Sequence, residues 1–125
     1  MIILDSSALL AVLLGEPGAD AVKATFSEAF ISAASLAEIL AKAERRGIPS
    51  EAAYKVIVNF GIGIIPVDTL QARISARISL APRELDLSLG DRLCIALAIA
   101  MRCDLLTSDG GIRKFEADIS IRSFR

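Results

Sequence analysis

The chain has no histidine and no tryptophan, and only 1 tyrosine and 5 phenylalanines among its 125 residues. Without histidine, Ser-His-Asp and Cys-His catalysis are excluded for this chain alone, and so is His-liganded zinc. Acid–base or metal chemistry then falls to carboxylates, lysine, cysteine, tyrosine or hydroxyls. Cysteine is nearly missing as well. Cys94 and Cys103 form no Cys-x-x-Cys pair and no metal-ligand spacing, so they read as buried free thiols of a reducing compartment. No apolar run reaches the roughly 18–20 uninterrupted residues that a bilayer span requires. The first 14 residues are apolar enough to suggest an export signal, but no basic segment precedes them and Asp5 interrupts them. The expectation is a soluble cytoplasmic protein without a membrane anchor. There is no linker, repeat or low-complexity tract, and no excess of one charge, with 14 basic residues against 15 acidic. That balance neither announces nor forbids nucleic acid, because a basic patch can sit inside a neutral total.

What the chain does have is apolar residues, at 54%, enough for the core of one domain over residues 1–125. Ile2-Ile3-Leu4 reads as a buried strand ending at Asp5, after which Ser6 or Ser7 caps a helix over residues 8–14. Gly15-Glu16-Pro17-Gly18 stops that helix, residues 19 to about 28 look helical, and Phe30-Ile31-Ser32 is a short strand. Ser35 and Glu38 stand at capping-box spacing and open a helix that Gly47 ends. Ser50 starts another helix to about Phe60, followed by a strand at Ile64-Ile65-Pro66-Val67. Asp68, with Gln71 three residues on, caps a helix to about Leu80. Ser88 caps a helix through Met101 that is wholly apolar over residues 93–101, as suits the centre of a small domain. Leu105-Leu106-Thr107 is a strand, and a short helix and a last strand near residues 119–121 complete the series.

Strands alternating with helices imply an α/β domain with a mostly parallel sheet, whose ligands sit beyond the carboxyl ends of the strands. Asp5 and Asp109 each follow a strand directly, although each would also suit a turn or a helix cap. Glu38 and Asp91 each fall three residues after a serine, where a first-turn carboxylate is favoured by the helix dipole regardless of function. Together the four acids would meet at one edge. Two ionised carboxylates about 5 Å apart repel by roughly 3 kcal/mol at an effective dielectric of about 20. A hard cation relieves four, and oxygen-only ligands favour Mg²⁺ or Mn²⁺ over zinc or copper. The remaining acids read as structural: Asp104 starts its strand, Asp68 caps a helix, and Glu84, Asp86 and Asp118 lie in loops.

The segments ILDSSALLAVL, SAASLAEIL, LSLGDRLCIALA and LLTSDGGIRKF resemble, in order, the four acidic motifs of PIN-domain ribonucleases, most nearly the VapC toxins of toxin–antitoxin pairs. The resemblance covers nearly the whole chain. It implies a three-layer α/β/α fold with a central, mostly parallel sheet, and Asp5, Glu38, Asp91 and Asp109 as catalytic acids around one or two Mg²⁺ or Mn²⁺ ions. It implies Ser7 and Thr107 as supporting hydroxyls, hydrolysis of RNA phosphodiesters by metal-activated water, a cognate antitoxin and a homodimer. Arg92, Arg113 and Lys114 stand beside the motifs, where they could meet substrate phosphates or merely solvent. After Asp109 the family often carries a polar or charged residue and an aromatic, where this chain has Gly110-Gly111-Ile112.

Three other readings compete: a non-catalytic PIN-like module that binds RNA or protein, a DNA nuclease of the same fold, and a phosphotransfer domain. The last fits poorly. A haloacid-dehalogenase phosphatase wants aspartate where Ser7 stands, and a receiver domain wants an early acidic pair and a late lysine after a strand.

Overall fold

Ile2, Ile3 and Leu4 are fully buried in the computed structural model, which describes all 125 residues, Met1–Arg125. A strand buried on both faces must lie between two layers. This strand, β1 (Ile2–Leu4), pairs in parallel with β2 (Ala29–Ser32) on one side and β4 (Asp104–Thr107) on the other. β3 (Gly63–Ile65) adds beyond β2, and β5 (Ile121–Ser123) beyond β4. The result is a five-stranded, wholly parallel sheet in the order β3-β2-β1-β4-β5.

Alternation along the strands divides the core in two. Ile2 and Leu4 pack with α1 (Ser6–Leu14), α2 (Ala19–Lys23), α3 (Ala33–Arg45) and α4 (Ser50–Asn59), through residues such as Leu9, Val22, Ile39 and Ile57. Ile3 packs in a second cluster with α5 (Thr69–Ile78), α6 (Leu89–Met101) and α7 (Gly110–Lys114), through Ile78, Ile95, Leu97 and Ile112. Leu105 and Leu106 of β4 split between the two in the same way. Helix α6 is central, as its apolar run requires: residues 94–98 are buried, and it packs on α3, α5 and three strands. Both cysteines are buried free thiols. No helix is long and apolar enough to cross a membrane.

The caps at Asp68 and Ser88 are formed, the latter as a full capping box with Asp91. Elsewhere the boundaries move. Asp5 itself, not Ser6 or Ser7, caps α1: its backbone is extended and its Oδ1 accepts from Ala8 N at 3.1 Å. Ser32, not Ser35, caps α3, because β2 runs straight into the helix and leaves Ser32 extended with Oγ accepting from Ala34 N at 3.1 Å. The Ser35–Glu38 capping box therefore does not form. Ser35 is buried inside α3 with its Oγ unpartnered, and Glu38 lies in the second turn. α2 ends at Lys23, and a 3₁₀ turn at Phe26–Glu28 finishes that stretch. β3 stops at Ile65, since Pro66 has no N–H to continue a ladder. β5 falls two residues later than the apolar pattern suggests, in the register that sets Ile121 beside Leu105 and Ser123 beside Thr107.

Candidate metal centre

The chain builds the sheet outward from β1 in one direction, through β2 and β3, and then restarts on its other side with β4 and β5. The direction reverses between β1 and β4. In open parallel sheets a crevice opens at that point, beyond the carboxyl ends of the two strands. Asp5 follows β1 and Asp109 follows β4, so this crevice has a carboxylate on each lip.

Asp5 is the inner one, with 3% of its surface exposed. Ser7 Oγ donates to its Oδ1 and Thr107 Oγ1 to its Oδ2, both at 2.6 Å. Each hydroxyl is itself an acceptor: Ser108 N donates to Ser7 Oγ at 3.0 Å, and Asp109 N to Thr107 Oγ1 at 2.8 Å. Those backbone donors occupy the hydroxyls from behind and aim their protons at Asp5. The two relays also tie the turn after β1 to the turn after β4. Burial nevertheless dominates, and the Asp5 carboxyl is pushed up from 3.8 to about 6, the hydrogen bonds from Ser7, Thr107 and Ala8 opposing it and the Asp109 charge adding to it.

The other three acids come from different elements. Asp109 caps α7, its Oδ1 accepting from Ile112 N at 2.9 Å. Asp91 is the third residue of α6 and accepts from Ser88 N at 2.9 Å. Glu38 accepts no hydrogen bond and lies against the start of α6, where a β-carbon on Gly90 would overlap its carboxylate. Burial raises the pKa of Glu38, the Asp91 charge adds to it, Lys42 opposes it, and Asp5 adds a smaller push upward. Burial also raises Asp91, against its bonds to Ser88 and with added repulsion from Asp109. Each acid feels the next, from Asp5 to Glu38 to Asp91 to Asp109 and back to Asp5.

None of the four forms a salt bridge, although Lys42, one turn along α3, partly offsets the charge of Glu38. The two salt bridges of the chain, Arg122–Asp104 and Arg125–Glu16, lie elsewhere. Four carboxylates in mutual repulsion, all oxygen donors, suit a hard divalent ion. No three of them converge as a finished cage.

The profile of the PIN domain family matches residues 2–117. The chain belongs to the PIN domain family. No curated protein matches it in a sequence comparison. Solved structures share its fold. A DNA-bound VapBC of Salmonella typhimurium superposes with a TM-score of 0.78 at 17% identity, over 99% of this chain and 98% of that one. FitAcB of Neisseria gonorrhoeae gives 0.74 at 22%, over 97% and 96%. VapC20 of Mycobacterium tuberculosis, described as a Sarcin-Ricin loop cleaving toxin, gives 0.73 at 17%, over 90% and 92%.

Around the acids of this PIN domain the basic residues are spread out. Arg92 shares the first turn of α6 with Asp91. Arg113 is exposed on α7 and reaches Ser123 Oγ at 3.4 Å, while Lys114 is exposed beside Pro82 and Leu85. None of the three makes an ion pair with the acids. Two site features escape a reading of the sequence. Arg125 reaches Ser108 Oγ at 3.3 Å, next to Asp109, across a distance in sequence that no local pattern reveals. Gly90 makes room for Glu38, and its signal was present: glycine in a helix costs about 1 kcal/mol, which points to a close approach.

Proposed function

We propose that this PIN domain is a divalent-metal-dependent endoribonuclease and the toxin of a toxin–antitoxin pair. The observation that carries the reading is four carboxylates without salt bridges about the sheet's switch point, each in the field of the next, with Asp5 buried between two aimed hydroxyls. Asp5, Glu38, Asp91 and Asp109 would hold one or two Mg²⁺ or Mn²⁺ ions. When bound, such an ion supplies a Lewis acid that lowers the pKa of water and offsets charge on a phosphodiester. The protein's own groups set the geometry. Ser7 and Thr107 keep both Asp5 oxygens oriented, and Thr107 fixes the backbone of Asp109 as well. Arg92, with Arg113 and Lys114 further out, would meet substrate phosphates.

RNA is favoured as substrate because a protein of this fold is described as cleaving the sarcin–ricin loop. An antitoxin is favoured because a protein of this fold from Klebsiella pneumoniae is described in a toxin–antitoxin complex. A surface suits such a partner: a groove of about 300 Å³ among α1, α3 and α4, walled by Leu13, Ile39, Val56 and Phe60, with Lys42 and Arg46 on it. We assign it an apolar segment of the antitoxin flanked by acidic residues. The decisive assay offers purified protein RNA and single-stranded DNA in parallel, with Mg²⁺, with Mn²⁺ and with EDTA. Cleavage of RNA that needs the metal and disappears in Asp5→Asn is expected. Full activity in that variant would sink the site assignment, and a preference for DNA would move the substrate.

A further inference from the structure

Between α5 and α6 the chain makes one 3₁₀ turn, Arg83–Leu85, closed by Asp86 in the left-handed region with φ 51°. Arg83, Asp86 and Leu87 face Ile78 and Ser79 at the end of α5 and Arg92 in α6 across a groove of about 490 Å³. That volume is in the range of small-ligand sites. Two features place it beside the four acids. Arg92 in its wall directly follows Asp91 in the first turn of α6, and the Asp86 charge reaches Asp91. The Leu85 carbonyl lies so close to Gly111 that a β-carbon there would overlap it, which holds the turn against the start of α7, next to Asp109. Gly111 is what admits this turn; a β-carbon on Gly110 would meet nothing within 4 Å.

Neither Arg83 nor Arg92 has an ion-pair partner. Asp86 offsets one of the two, leaving the groove with a net positive charge. Guanidinium groups match the oxygens of a phosphodiester in planar, forked geometry. No aromatic side chain lines the groove, so it has no platform on which a base could stack. Backbone recognition is the chemistry that remains.

We propose that Arg83 and Arg92 form a phosphate subsite that holds the RNA backbone alongside the four acids. The proposal rests on the ribonuclease reading and adds a point beside the site where the strand's backbone is held. It is tested by fluorescence anisotropy on a short labelled single-stranded RNA in EDTA, so that cleavage does not enter. Arg83→Ala should weaken binding about two- to fivefold, the range of an exposed ion pair. It should also lower the slope of log affinity against log salt by about 0.7, one single-strand phosphate contact, and Arg83→Ala with Arg92→Ala by about twice that. Arg83→Lys should keep the slope. Arg45→Ala, at the far end of α3, should leave both affinity and slope alone, and unchanged melting temperatures would show that the variants fold. If the parent binds RNA but Arg83→Ala matches it, or Arg45→Ala falls as far, the subsite is wrong and the ribonuclease reading stands. If the parent neither binds nor cleaves RNA, both fall.

Discussion

At the scale of single residues, Asp5 sets a measurable conflict between folding and chemistry. Burial raises its carboxyl from 3.8 to about 6. Between those values the folded protein keeps a proton that the unfolded chain has released. Stability of the metal-free protein therefore falls as pH rises from about 4 to about 6, then levels off. The whole span from 3.8 to about 6 corresponds to roughly 3 kcal/mol. Glu38 and Asp91, also raised chiefly by burial, act in the same direction. A cation that binds the ionised acids should restore what is lost. Thermal melts in EDTA should thus decline over that window, and Mg²⁺ at neutral pH should raise the parent's melting temperature but not that of Asp5→Asn. Stability rising from pH 4 to 6 in EDTA, about the span of the Asp5 shift, would refute this. Thr107 offers a second test. It is fully buried and its hydroxyl serves Asp5 and the Asp109 backbone together. Thr107→Val keeps the shape but strands both groups, which should cost about 1–3 kcal/mol in denaturant melts and depress cleavage, while Thr107→Ser preserves both. Asp5 and Asp109 were readable from sequence because each stands at the end of a short apolar run. Glu38 was obscured by a serine three residues earlier, and only the cap at Ser32 shows that its carboxylate is not used for capping.

At the scale of elements, the site depends on how closely α3 approaches the start of α6. Glu38 can lie there because residue 90 has no side chain. Gly90→Ala should favour α6 by propensity, roughly 1 kcal/mol, yet displace the Glu38 carboxylate. The expected outcome is a protein that melts no lower than the parent by much and cleaves RNA poorly at limiting metal, with partial recovery at high Mg²⁺. Unchanged activity at every metal concentration would show that Glu38 is not needed at its present position. Elements with a strong internal signal were legible in the sequence: the apolar run of α6, the capping box at Ser88 and the cap at Asp68. Boundaries set by neighbours were not. β5 takes its position from pairing with β4, so the apolar residues Ile119 and Ile121 alone place it two residues early. The start of α3 depends on β2 running directly into it, which residues 33–38 do not reveal.

At the scale of the whole molecule, the sequence implies a parallel sheet but not the order of its strands. Strand order follows from which apolar faces pack, and several arrangements of short buried strands satisfy the same pattern. Once β1 and β4 are neighbours, the acids of two distant segments share a crevice, and the apolar surface of α1, α3 and α4 is left on the opposite side of the sheet from α5 and α6. The two proposed functions thus centre on different surfaces, catalysis at the switch point and partner binding in the groove, joined through α3, where Lys42 of the groove acts on the charge of Glu38. Val56 tests that separation. It lines the groove, is 42% exposed and stands on α4, which carries none of the four acids. A charge at such a surface position changes folding stability by no more than about 0.5 kcal/mol, but it sets an unpaired carboxylate against an apolar, acid-flanked partner. Val56→Asp should therefore melt near the parent temperature and fail to co-purify with the co-expressed antitoxin. A charge reversal at the rim, Lys42→Glu, should weaken the complex in a manner that added salt partly relieves, because the repulsion it introduces is screened within about 10 Å at 0.1 M salt. Retention of the antitoxin by both variants would place the partner on another face.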